Sequence, residues 1–214
     1  MPADLPSHGP IEGEYVCLDA LTERDLDDLY PVLTDPEVYA YGYVMHRRPV
    51  SLEDARALAV ERFLSGQGEL DGRGSGRNAY AIRLRSDTAL GPAGTLVGTT
   101  SLMQADVVNE SIHLGSTLYG SRWWGTTVNP ECKFLLLRHC FEDCRYGRVK
   151  IQTDVLNVRS TAAIAKLGAV REGVIRRDMR REDGTFRDTV VFSILAEEWP
   201  AVKENLAARI RTAP

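Results

Sequence analysis

No run of apolar residues in this chain is long enough to cross a bilayer, which excludes a helical membrane span. Nor is there a basic excess: 26 Lys and Arg stand against 30 Asp and Glu, a net charge of -4. A nucleic-acid binder usually carries a basic face, so no nucleic-acid partner and no membrane partner are expected. The N-terminal decapeptide is polar and Pro-rich and lacks the basic and apolar regions of an export signal. The expectation is a cytoplasmic protein with a flexible tail over residues 1–12 and one domain over 13–214. Cysteine is scarce: Cys17, Cys132, Cys140 and Cys144, with no Cys-x-x-Cys pair. Cys140 and Cys144 lie in an apolar run, where a reduced thiol packs as a small hydrophobe, so no metal is expected. The Gly-rich stretch from Gly66 to Asn78 lacks the Gly-Lys-Ser/Thr ending of a phosphate loop and reads as a surface loop. No internal repeat is visible.

What is present is an alternation of strands and helices. "EYVCLDAL" (Glu14 to Leu21) reads as a first strand. Thr22 can cap a helix with the stripe Leu26, Leu29, Tyr30 and Leu33, and Ser51 opens a clearer helix with Asp54 in its first turn. "AYAIRLR", "TLVGTTSLMQAD" and "ESIHLGSTLY" follow as an antiparallel meander. "PECKFLLLRHCFEDC" is an apolar helix and "RVKIQTDVLN" a strand. "VRSTAAIAKLG" is a short helix closed by Gly168, and a hairpin then turns at Asp183-Gly184 before a terminal helix. Helices interleave with a sheet that begins antiparallel, which is a mixed α/β class.

The join between "IHLGSTLY" and "PECKFLLLRHC" reads "SRWWGTTVNPECK". A strand that runs through a tight turn into a helix aims several backbone N–H groups at one point, and the helix start adds positive partial charge. Together they suit a phosphate or pyrophosphate. Gly125 permits close approach, Asn129 is placed to cap the helix, and Pro130 fits its first position. Many such joins bind nothing, and the tryptophans suit a hydrophobic lid as well as a ligand cover. A second element, "DVLNVRSTAAIAKLG", sets Asn157 at a strand end and Ser160 three residues on. Helix capping explains both residues without any ligand.

In combination these two elements resemble the GNAT N-acetyltransferase superfamily, and more narrowly its RimJ/RimL-like branch, named for ribosomal-protein N-terminal acetyltransferases. The likeness runs from about Thr95 to Trp199. It implies an α/β (α+β) fold with a mixed central sheet of about seven strands, splayed between the fourth and fifth, and helices on both faces. It also implies acetyl-CoA as cosubstrate. Pantetheine would pair with backbone at Leu118 and Tyr119. The pyrophosphate would sit on the turn of Arg122, Trp124, Gly125, Thr126, Thr127, Val128 and Asn129. Arg122 and Gly125 match the family pattern, while Thr127 replaces a small residue and Pro130 removes an amide. Glu131 matches an acidic residue common early in this helix. Asn157 would contact pantetheine, and Ser160 would stand beside the sulfur, where many relatives carry a tyrosine elsewhere in the helix.

Acetyl transfer to an amine needs a deprotonated amine, a backbone donor for the developing oxyanion and a proton or hydrogen bond for the leaving thiolate. Ser160 is the candidate for the last task. His113 is either a base or a hydrogen-bonded strand histidine; Asp178 is either a base or a solvated partner of nearby arginines; a water relay needs neither. Glu37, Tyr39 and Tyr41, with Tyr43, either line an acceptor pocket or pack between the helices and the sheet. The expected function is acetyl transfer to a primary amine, on a protein N-terminus or a small molecule, by direct attack in a ternary complex. The expected partners are acetyl-CoA and the amine, with a homodimer as one assembly. The alternative is a non-catalytic coenzyme-A-binding or sensor module on the same fold.

Overall fold

The computed structural model describes residues 2–40 and 47–212; Tyr41 and Tyr43 lie outside the described residues. Eight strands form one sheet in the order β1-β2-β3-β4-β5-β6-β8-β7. They are β1 (Ile11–Glu12), β2 (Val16–Ala20), β3 (Arg77–Leu84), β4 (Leu96–Asp106), β5 (Ser111–Tyr119), β6 (Arg148–Asp154), β7 (Val170–Arg180) and β8 (Phe186–Leu195). Among the described residues six α-helices accompany them: α1 (Leu26–Leu33), α2 (Pro36–Ala40), α3 (Leu52–Ala59), α4 (Val128–Arg138), α5 (Val158–Ala165) and α6 (Trp199–Thr212). The additional strand beyond the expected seven is β1, two residues long and too short to leave a sequence signal.

Every pairing is antiparallel except β5 with β6. That parallel pair extends only over Ser111–His113 against Arg148–Lys150, although β5 continues to Tyr119 and β6 to Asp154. Beyond His113 the two strands diverge, so the splay falls between the fourth and fifth of the strands foreseen from the sequence. Ser116, at φ 48, marks the register shift where β5 bulges away.

Apolar side chains cover both sheet faces. One core joins Leu18, Tyr80, Ile82, Leu102 and Leu114 to Leu135, Leu136 and Leu206 of α4 and α6. The other joins Ala79, Ala81 and Leu118 to Leu29, Leu33, Ala55 and Phe63 on the side of α1 and α3. Local caps follow the sequence: the Ser51 hydroxyl accepts the Asp54 N–H, and the Asp25 carboxylate accepts both the N–H and the hydroxyl of Thr22. Gly168 and Gly184 take φ +94 and +85, as a helix end and a hairpin turn require.

Residues 3–12, expected to be loose, are tied down. The Asp4 N–H bonds to Cys144 O (2.8 Å), Ala3 is buried, the Asn78 side chain donates to Pro6 O (3.1 Å) and β1 pairs with β2. The turn between β1 and β2 is pinned from α4. The Glu131 carboxylate accepts the N–H groups of Glu14, Tyr15 and Val16 at 2.6, 2.8 and 2.8 Å. A side chain at Gly13 would strike that carboxylate, so the glycine permits the approach.

Candidate active site

The turn that leaves β5 meets a helix that begins earlier than the sequence suggests. α4 starts at Val128, with Thr127 preceding it in helical conformation, and the Glu131 N–H already bonds Thr127 O at 3.0 Å. Asn129 is therefore inside the first turn and does not cap it. Pro130 sits in the same turn, where its missing N–H removes no intrahelical bond. The Thr126 hydroxyl binds both sides of the turn, donating to Trp123 O (2.8 Å) and accepting from the Val128 N–H (3.3 Å). Gly125 takes φ +78, and a Cβ there would meet nothing within 4 Å. The turn thus leaves open space beside exposed backbone at a helix N-terminus.

That space belongs to a cavity of about 480 Å³ lined by Gly125, Thr126 and Asn129 on one side and Arg159, Lys166 and Arg209 on the other. Three cations facing a helix N-terminus make a site for a polyanion. The tryptophans hold it in place. Trp124 donates to Tyr119 O (3.1 Å), and the Arg159 guanidinium stacks 3.5 Å above its ring, linking the turn to α5. Trp123 donates to Leu90 O (3.1 Å) and packs over Gly120, where a Cβ would lie 2.6 Å from the ring. Trp123 is packing; Trp124 does not itself line the cavity but supports Arg159, which does. Arg122 is exposed, its guanidinium 5.9 Å from the Trp123 ring, and does not line the cavity.

Leu118 and Tyr119 occupy the far end of β5, past the divergence, and Asn157 and Ser160 stand at the corresponding end of β6. The Asn157 side chain caps α5 by accepting the Ser160 N–H at 2.9 Å. The Ser160 hydroxyl bonds no described residue. His113 sits where β5 and β6 part, 6% exposed, with its Nε2 lacking any described partner. Burial, reinforced by Lys150, Arg187, Lys133 and Arg77, pushes its pKa down to about 3. Asp178 lies on β7 and accepts the Thr189 hydroxyl at 2.6 Å. Glu37 is exposed on α2, and Tyr39 spends its hydroxyl on Leu33 O (2.9 Å). Neither lines a second cavity of about 460 Å³, which is bounded by Arg47, Asp54, Glu61, Arg180 and Glu182.

Several charged residues around the cleft escaped the sequence reading because their role depends on register. Lys133 on α4 is 7% exposed and donates to the Thr117 hydroxyl (2.9 Å), which also bonds the Thr100 hydroxyl (2.8 Å). Burial lowers its pKa from the usual lysine range, and no carboxylate is within ion-pair distance among the described residues. A lysine in an apolar helix was the only signal in the sequence, and it resembled any surface lysine. At the end of β6, Asp154 is committed to Arg181 by bonds of 2.6 and 3.0 Å, both side chains being buried. No group of three or more His, Cys, Asp or Glu arranged to hold a metal occurs among the described residues.

The fold and this cleft define an acyl-transfer enzyme, and comparison with known proteins agrees. Residues 16–170 match the acetyltransferase (GNAT) domain, so the chain belongs to that family and is an N-acetyltransferase. Among named relatives it is 30% identical over 127 residues, 59% of its own length and 68% of the other's, to YdaF of Bacillus subtilis (strain 168), provisionally named a ribosomal N-acetyltransferase. A T. thermophilus structure provisionally described as an acetyltransferase superposes with a TM-score of 0.76 at 37% identity, covering 94% of this chain and 96% of that one. RimJ of Mycobacterium smegmatis, solved with a CoA-disulfide, shares the fold at 20% identity and a TM-score of 0.71, each chain 97% covered. The RimJ/RimL-like branch fits these relatives. Acetyltransferases of this family use acetyl-CoA.

Proposed function

We propose that this enzyme moves an acetyl group from acetyl-CoA to a primary amine by direct attack within a ternary complex. The observation that carries the reading is the divergence of β5 from β6 after His113 and Lys150, with the open glycine turn and its three cations at the mouth. Gly125, Thr126 and the first turn of α4 would hold the pyrophosphate, with Arg159, Lys166 and Arg209 around the remaining phosphate charge. Backbone at Leu118 and Tyr119 would pair with pantetheine, and Asn157 would meet it from the other strand. Bound, the cosubstrate supplies an electrophilic thioester carbon and a thiolate leaving group. The Ser160 hydroxyl, uncommitted to any described residue, would hydrogen-bond that sulfur.

His113 is a poor base in this reading: a ring that loses its proton near pH 3 draws little from an ammonium. The amine is instead eased out of its protonated form by the surrounding cations Lys150, Arg187, Lys133 and Arg77, with water carrying the proton away. Relatives named as ribosomal-protein acetyltransferases make a protein N-terminus one acceptor to test. Thiol release from acetyl-CoA, followed against a panel of amines and N-terminal peptides, tests the reading. Coenzyme binding without turnover on any of them would overturn it in favour of a sensor.

A further inference from the structure

The register places a row of polar and charged side chains across one sheet face. Arg77 on β3 stands opposite Met103, Met103 opposite His113, His113 opposite Lys150, and Lys150 opposite Ser193. Residues two apart on a strand share a face, so Ser101 and Gly115 border this row, while Thr189 and Arg187 lie on the same face of β8, four and six residues along from Ser193. Apolar helices cover this face over β3 to β5, but the half formed by β6, β8 and β7 carries Arg148, Lys150, Glu172, Asp178 and Arg187, none of them buried.

Charge on this face is out of balance. Asp154 is committed to Arg181, and Glu172 to Arg148. Asp178 and the already paired Asp154 are the carboxylates that act on Arg187, and Asp178 is the one that acts on Lys150. Lys150 gives one hydrogen bond, to Gln104 (2.9 Å), and Arg77 donates to the Arg62 carbonyl; neither contacts a carboxylate among the described residues. Arg187 makes no hydrogen bond or ion pair with any described residue, and its Nε is buried without a partner. Partly buried cations without counter-charges are costly in a finished protein.

A second observation points to the same place. Ser101 Oγ and His113 Nε2 are both buried, at 0% and 6% exposure, and both lack a described partner. They flank Gly115: Ser101 pairs across from it, and a Cβ built there would lie 2.6 Å from His113 Nε2. Unmet polar atoms thus meet where β5 and β6 part, beside the cationic row.

Resting on the acetyl-transfer reading above, we infer that the acceptor is an amine that carries a carboxylate close to its nitrogen, and that Arg187 holds that carboxylate. The cations then do two jobs. Arg187 binds the acid end by charge-assisted hydrogen bonds, and together they disfavour the ammonium at the other end, leaving the neutral amine that attacks. A free α-amino acid and a peptide with an acidic first residue both present this chemistry.

The test compares matched acceptors on the intact enzyme: an amino acid with its amide, and peptides beginning with Asp or Glu with those beginning with Asn or Gln. Thiol release gives kcat/KM, and calorimetry on the coenzyme-A-loaded protein gives acceptor affinity. A preference of at least about tenfold for the carboxylated member of a pair is expected. Arg187→Gln should collapse that ratio toward one, through KM more than kcat, and Arg187→Lys should restore part of it. Preference in the first pair identifies a free amino acid, in the second a protein N-terminus. Transfer with equal rates for acids and amides overturns this inference and leaves acetyl transfer standing. Failure of every carboxylated amine to bind by calorimetry overturns it whatever the turnover.

Discussion

Replacing Lys133 with methionine should make the protein more stable and less active. The ammonium is 7% exposed, meets no carboxylate among the described residues and donates to a single hydroxyl. Exchanging buried ions for apolar groups of similar volume is often stabilising by about 1–4 kcal/mol. Losing a hydrogen bond to a charged group returns about 1.5–3 kcal/mol of that. The bond between Thr117 and Thr100 survives, so no orphan is created and the loss falls at the low end. The net change is centred on about +1 kcal/mol, within about -0.5 to +2.5, or roughly 2–4 °C in melting temperature for a chain of this size. The sign can be checked by pH. Burial lowers the folded pKa below the ordinary 10.5, so the unfolded chain holds the proton more firmly. Wild-type stability should therefore gain a rising component as pH climbs toward 10.5, and Lys133→Met should lack it. Thermal unfolding at several pH values, with thiol release alongside, measures both effects. A melting temperature lowered by more than about 4 °C would show that the ammonium is structural. Unchanged turnover would remove Lys133 from the transfer centre.

Four other changes probe the site and its support. Gly125→Asp puts a charged side chain at φ +78 inside the cradle and should weaken coenzyme A binding at least tenfold by calorimetry (about 1.4 kcal/mol); unchanged affinity would mean the turn does not hold phosphate. Ser160→Ala leaves the bond from its backbone N–H to Asn157 intact, so turnover should fall about 10- to 100-fold with little change in coenzyme affinity. Equal losses in both would reduce Ser160 to a binding residue. Glu131→Gln removes a charge that receives three backbone N–H groups and should cost about 2–4 kcal/mol by urea unfolding; a loss under about 0.5 kcal/mol would show that the β1–β2 turn does not depend on it. His113 keeps its neutral ring in the fold down to about pH 3, whereas the unfolded chain takes up a proton near 6.5. Stability should fall as pH drops from 6.5 toward 3, and His113→Gln should flatten that slope by on the order of 3 kcal/mol between pH 7 and 4.

Local signals carried far in this chain. The strands from Arg77 to Tyr119, the Ser51 cap, the Gly168 helix end and the turn at Gly184 are each set by neighbours in sequence, and each lies where pattern and turn chemistry put it. The start of α4 does not, because Thr127 and Val128 enter helical conformation ahead of the better capping residue, Asn129. The docking of residues 3–12 rests on partners such as Asn78 and Cys144, far along the chain, which no local pattern reveals. Glu131 was legible as an acidic residue early in a helix, but its three N–H partners come from a turn 115 to 117 positions away. The cations about the cleft were invisible for a similar reason. Arg187, Lys150 and Arg77 come from three strands, and only the pairing register brings them to one face.

The three residue pairs joining β5 to β6 also give the cleft its mechanical character. A hinge at these pairs would lie between two leaves of sheet, β1–β5 on one side and β6–β8–β7 on the other. From His113 to Leu118 the arm beyond that hinge is about 16 Å at the usual rise per residue. A rotation of only about 5° at the hinge would open the tips by about 1.4 Å on that arm, roughly the width of one atom. The gap therefore behaves as a pair of calipers, in which slight repacking around Ile112 and Val149 is magnified where Thr117 and Leu118 stand. Residues that touch neither substrate thereby gain leverage over what the cleft admits.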